Sequence, residues 1–148
     1  MSGVVAIALS GCLAGVLDLS ATATVMTAQG VPVQRLLQFI ASGALGTSAF
    51  SGGKRTAGIG LLFHFLIAVV ASTIYYGISR ELPVSLGRPL LFGTLYGVAV
   101  HLVMSRIVVP RSRTPKREFS AKAFLTQLVI HIVCVGLPIA LIQSYLLR

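Results

Sequence analysis

Four stretches of about twenty or more mostly apolar residues dominate the sequence, and a run of that length is what an α-helix needs to cross a hydrocarbon layer. They run over residues 3–27, 56–79, 89–109 and 121–147. The first carries Asp18 as its one charge, the second has no Asp, Glu, Lys or Arg, the third has Arg106 near its end, and the fourth has Lys122 at its start. Punctuation residues support these bounds. Pro89 suits a first helical turn, Pro110 is expected to end the third helix, and Ser120 can cap the fourth. Only 10% of the 148 residues are charged, against about a quarter in soluble domains, so there is too little polar surface to clothe a water-soluble fold. The expected fold class is therefore an all-α integral membrane protein, a single transmembrane domain (1–148) built as a four-transmembrane-helix bundle.

One segment reads differently. Residues 32–50 begin at Pro32 with Gln34, Arg35 and Gln38, continue through an apolar, small-residue run, and end before Ser51-Gly52-Gly53. Once its polar start is removed the segment is short for a span, so an extra interfacial or re-entrant helix is expected there. A fifth span is the alternative, and it would invert everything that follows.

The charge balance, 12 Lys and Arg against 3 Asp and Glu, would suggest nucleic acid in a soluble protein. Here the basic residues lie in short connections between apolar runs, which reads as membrane orientation and contact with anionic lipid head groups, with no nucleic-acid partner. Nine of the 12 fall on one side: Arg35, Lys54 and Arg55 between the first two spans, and Arg106, Arg111, Arg113, Lys116, Arg117 and Lys122 around the third connection. Arg80, Arg88 and Arg148 fall on the other. By the positive-inside rule both termini should face away from the cytoplasm, and the basic loop Arg111, Arg113, Lys116 and Arg117 should meet the lipid surface. Residues 1–11 contain no Lys or Arg and make a poor signal peptide. Leu9-Ser10-Gly11-Cys12 looks like a lipobox, but the apolar run continues past Cys12, which favours an uncleaved first helix. Cys12 and Cys134 both lie in apolar runs and imply no disulfide framework.

Each span contains one interior ionisable group: Asp18, His64, His101 and His131. Such groups are costly in hydrocarbon and turn toward the bundle interior. Counted from the shared end of the spans, they lie about 9, 8, 8 and 10 residues deep, and at about 1.5 Å per residue these depths agree within one helical turn. Each also falls on its helix's stripe of small residues: Gly11-Gly15-Asp18-Thr22, Gly60-His64-Ala68-Ala71-Tyr75, Gly93-Gly97-His101-Ser105 and Ala123-Gln127-His131-Cys134-Pro138. The GxxxG pairs Gly11/Gly15 and Gly93/Gly97 are expected to serve helix packing.

A buried cluster of this kind has several uses. It can be a structural polar lock, with Asp18 accepting from one His or from a hydroxyl such as Tyr96. It can be a proton or ion pathway, since Asp and His relay protons and imidazole titrates near neutral pH. It can hold a metal through His64, His101, His131, Cys134 and Asp18, although each ligand sits on a separate helix. It can hold haem b between His64 and either His101 or His131. The chain contains no GxSxG, P-loop or HExxH, and three acidic residues are too few to suggest paired-carboxylate hydrolysis, so catalysis is not the leading expectation. The competing class is a structural or accessory subunit, as a homo-oligomer or within a larger membrane complex.

Ala14-Gly15-x-x-Asp18, His64-Phe65-x-Ile67-Ala68, and Ile130-His131 with Gly136-Leu137-Pro138 resemble segments of small bacterial multi-pass proteins and are loosely similar to the YagU-like family. The resemblance implies a bacterial inner-membrane location and assigns no activity.

Overall fold

The computed structural model describes residues 2–148, and among these the secondary structure is helical with no strand. Helix α1 spans Gly3–Ala28, α2 Val33–Leu45, α3 Gly53–Glu81, α4 Val84–Gly87, α5 Pro89–Arg111 and α6 Ala121–Leu147. A 3₁₀ segment, Gly46–Ser51, links α2 to α3. Helices α1, α3, α5 and α6 are long and apolar enough to cross a membrane; α2, at 13 residues, is not among them.

Caps and breaks follow the local sequence. Ser2 and Ser120 accept from the N–H groups of Val5 and Ala123, satisfying one orphan donor at the start of α1 and α6. Pro89 opens α5 as expected. Pro110 does not end α5, which continues to Arg111. The chain instead widens into a π turn at Met104–Val108, just ahead of the proline. The second π turn, His131–Gly136, precedes Pro138 in α6 in the same way. A proline has no N–H and crowds the carbonyl four residues back, and a widened turn is one way to relieve both effects.

The packing is inverted relative to a soluble protein. Leu62 (66% exposed), Leu90 (65%) and Leu125 (57%) face outward, whereas Ser10, Ser72 and Gln143 are fully buried. Side chains of that kind on the outside fit a hydrocarbon surround, and small or polar side chains inside are what lets helices approach there. Helix α1 packs against α3 and α6, and α6 against α5. Gly11 and Gly15 give α1 its contact with α3: a Cβ on Gly11 would come 2.9 Å from the Val69 Cα. Gly93 and Gly97 do the same for α5, against Gly136 and Ile132 of α6. Both GxxxG pairs thus serve helix contacts inside the protein.

A hydrophobic core of Ala14, Ala71, Tyr75, Tyr96, Val135, Ile139 and Ala140 fills the middle of the bundle. Beside it Ser10, Ser72 and Gln143 knit three helices together. The two hydroxyls lie 2.7 Å apart, and Gln143 Nε2 lies 2.9 Å from the Ser72 carbonyl and 3.2 Å from Ser10 Oγ. The Tyr96 hydroxyl donates to the Ala71 carbonyl at 2.5 Å, tying α5 to α3.

Helix α2 lies against the first turns of α3. Gly60 admits it, since any Cβ there would strike the Leu37 carbonyl, and Gln38 Nε2 donates to the Gly53 carbonyl at 3.1 Å. The connection from α5 to α6 folds over the same end of the bundle. The Arg113 N–H donates to the Gly43 carbonyl at 3.0 Å, and the Arg117 guanidinium stacks 4.3 Å over the Phe39 ring. The two basic connections therefore meet on one face of the protein.

Candidate functional site

Asp18, His64, His101 and His131, one from each span, all line a single cavity of about 380 Å³ between α1, α2, α3, α5 and α6. They enter it as two pairs, and the details of each pair follow from the local helix chemistry.

The first pair joins α1 to α3. Because residue 15 is glycine, α3 comes close enough for Phe65 to sit 2.9 Å from where a Cβ would stand. That approach brings His64 Nε2 to 2.8 Å from the Gly15 carbonyl and 4.0 Å from Asp18 Oδ2. A carbonyl only accepts, so Nε2 carries the proton and donates it to Gly15. At 4.0 Å the carboxylate stands outside hydrogen-bond range. Asp18 is therefore a neighbour of His64 without a hydrogen bond to it, and its Oδ1 is buried with no partner among the described residues. The Tyr96 hydroxyl, considered as a donor to Asp18, is engaged by the Ala71 carbonyl instead, because Tyr96 points into the Tyr75 side of the core.

The second pair joins α5 to α6. The His101 and His131 rings lie 5.2 Å apart, centre to centre, at 54°, and Phe124 meets the His101 ring edge-on at 4.5 Å. His131 Nδ1 donates to the Gln127 carbonyl one turn back at 2.7 Å, so Nδ1 carries its proton and Nε2 is the bare nitrogen of the neutral ring. That ring donor competes for the carbonyl that the His131 backbone N–H also approaches, at the residue where the π turn begins. His101 is 3% exposed, and its Nε2 has no partner among the described residues.

The other expected positions fall as follows. Cys134, in the π turn of α6, is half-buried and is not among the residues that line the cavity. Cys12 faces outward. Arg117 lines the cavity mouth, while Arg111, Arg113 and Lys116 are exposed on the basic face. Among the described residues, no three His, Cys, Asp or Glu side chains come together closely enough to hold a metal ion. The candidate ligands lie on four helices and meet in pairs, Asp18 with His64 and His101 with His131.

Two features lie outside the sequence reading. The first is the Ser10–Ser72–Gln143 knot, which a search confined to ionisable groups passes over. An amide within the run Leu137–Leu147 was its visible signal. The second is α2, whose Leu36, Phe39 and Ile40 form part of the cavity wall. Comparison with protein families, with curated proteins and with solved structures finds no match to this chain.

Proposed function

We propose that this is a multi-pass membrane protein in which the Asp18–His64 and His101–His131 pairs are two stations of a proton or ion pathway. The observation that carries the reading is the convergence of four ionisable groups, one per span, on one cavity surrounded by apolar helices. Intramembrane ionisable groups are expensive, and of the four only His64, through the Gly15 carbonyl, hydrogen-bonds a neighbouring helix. A separate polar lock is made by Ser10, Ser72 and Gln143, whereas Asp18 Oδ1 and His101 Nε2, on residues that line the cavity, are buried without a hydrogen-bond partner among the described residues. Asp18 is faced by His64 from α3, and His101 by His131 from α6, with Arg106 further along its own helix. Protons exchanged among these groups would enter at the end where Arg117 lines the cavity. On the opposite side the core around Tyr75 and Tyr96 closes the bundle, so passage requires that layer to rearrange.

The membrane setting follows the same logic. The basic connections that meet over α2 form the cytoplasmic face, with both termini opposite, and α2 lies at the interface as a short helix packed on α3. Exposed Arg111, Arg113 and Lys116 on that face suit anionic head groups. A bacterial inner membrane is part of this proposal, as the setting that a resemblance to YagU-like proteins would imply.

The test is proton flux into liposomes carrying the purified protein, followed with an entrapped pH dye under an imposed gradient. Asp18→Asn is expected to abolish protein-dependent flux. Flux equal to that of the wild type in this variant would sink the pathway.

A further inference from the structure

Among the described residues, helices α3 and α5 are not packed along each other: α3 packs on α1 and α2, and α5 on α6. The one hydrogen bond between α3 and α5 runs from the Tyr96 hydroxyl to the Ala71 carbonyl, 2.5 Å away. One turn from that bond toward the basic connections, Ile67 of α3 and Val100 of α5 line the cavity. Ile67 is 39% exposed, so the cavity wall there reaches the outer surface of the bundle. At the far end the Arg117 guanidinium stacks 4.3 Å over the Phe39 ring, and both residues also belong to the wall. The space thus opens sideways between α3 and α5, from the Tyr96–Ala71 bond at one end to the Phe39–Arg117 stack at the other. Its apolar wall includes Leu36, Phe39 and Ile40 of α2 beside Ile67 and Val100. The imidazoles turn the other way, His64 Nε2 to the Gly15 carbonyl of α1 and the His101 ring against His131 and Phe124 of α6.

We infer that the cavity seats one acyl chain of an anionic phospholipid, which enters sideways between α3 and α5 and sets its phosphate on Arg117. In a bilayer an opening between two spans meets lipid tails, and an apolar space of about 380 Å³ is large enough to take an apolar ligand. Arg117 lies at the end of that space where the basic connections meet, which is where a head group would stand. No carboxylate pairs with it among the described residues. Stacking on Phe39 uses the face of the guanidinium and leaves its N–H edge for a phosphate, which it can hold through two hydrogen bonds. Arg111, Arg113 and Lys116, exposed in the same connection, favour a head group with net negative charge over a zwitterionic one. The inference does not rest on the pathway reading, although a seated chain would occupy the space through which protons are proposed to pass.

The experiment is photolabelling of the full chain in phosphatidylcholine vesicles that carry a trace of one of two probes, phosphatidylglycerol or phosphatidylcholine with a diazirine in the acyl chain. Adducts are located by peptide mass spectrometry, with no proton gradient imposed. The phosphatidylglycerol probe is expected to label Ile67 or Val100 at least about fivefold more than the phosphatidylcholine probe, the worth of one basic residue at an anionic head group. Arg117→Gln should remove that preference. Arg55→Gln, which takes a charge from the same face but not from the cavity wall, should keep it. Val100→Trp fills the space and should abolish cavity adducts of both probes, while labelling of outward residues such as Leu62 stays unchanged and reports an intact bundle. If Val100→Trp does not fold, Ile67→Trp on the rim of the opening takes its place, with Val100 as the labelled position. Adducts confined to outward residues, equal labelling of the cavity by the two probes, or cavity labelling indifferent to Arg117→Gln or to the filling substitution would overturn the inference.

Discussion

Gly97→Ala tests whether the α5–α6 contact is as close as the site requires. A Cβ at residue 97 would stand 2.5 Å from the Ile132 Cα, 2.8 Å from the His131 carbonyl oxygen and 3.0 Å from the Ile132 nitrogen. All three are backbone atoms, so no side chain can swing aside. The closest contact must lengthen from 2.5 Å to the 3.4 Å of ordinary contact, and only separation of the two helices achieves that. Overpacking of this size costs about 1–3 kcal/mol, against a gain of about 1 kcal/mol from replacing Gly by Ala in a helix. The net expectation is a loss of up to about 2 kcal/mol, or roughly thirtyfold in the unfolding equilibrium. Gly58→Ala is the matched control, because a Cβ there meets nothing within 4 Å. It keeps the propensity gain without the clash and should be about 1 kcal/mol more stable than wild type. Both are read by circular dichroism during titration with a denaturing detergent. If Gly97→Ala moves with Gly58→Ala toward higher stability, the backbone contact between α5 and α6 is not as described. The 5.2 Å spacing of His101 and His131, which depends on that contact, would fall with it.

Gln143→Leu should cost about 1–3 kcal/mol in the same titration, because the fully buried Ser10 and Ser72 hydroxyls and the Ser72 carbonyl lose the amide donor; a variant as stable as wild type would mean the knot contributes nothing. Cysteines placed at Ser112 or Thr114, in the connection that folds over Gly43, should react with a membrane-impermeant thiol reagent only from the cytoplasmic side of sealed cells or vesicles. Reaction from the outer side would reverse the proposed orientation.

The sequence was sufficient for the class of the molecule and the number of its long helices, because hydrocarbon imposes a length and a composition on any helix that crosses it, and both are local properties of a run of residues. It also sufficed for the packing faces. Glycines four apart mark where backbones meet whichever helix arrives, so Gly11/Gly15 and Gly93/Gly97 could be assigned to contacts without knowing the partner. Helical arithmetic also put Asp18, His64, His101 and His131 at a similar expected depth, and all four line one cavity. What depth and stripe do not contain is distance across helices. Only the tertiary structure divided the four residues into an α1–α3 pair and an α5–α6 pair, since which stripes face each other is decided by the packing of whole helices. It also sent the Tyr96 hydroxyl to Ala71 rather than Asp18, turned α2 into part of the cavity wall, and gathered Ser10, Ser72 and Gln143, residues 62 and 71 positions apart in the chain, into the knot that holds the bundle. Those outcomes depend on contacts between segments far apart in sequence, each of which satisfies its own backbone hydrogen bonds and so leaves its choice of neighbour to shape and to the few polar groups that must find a partner.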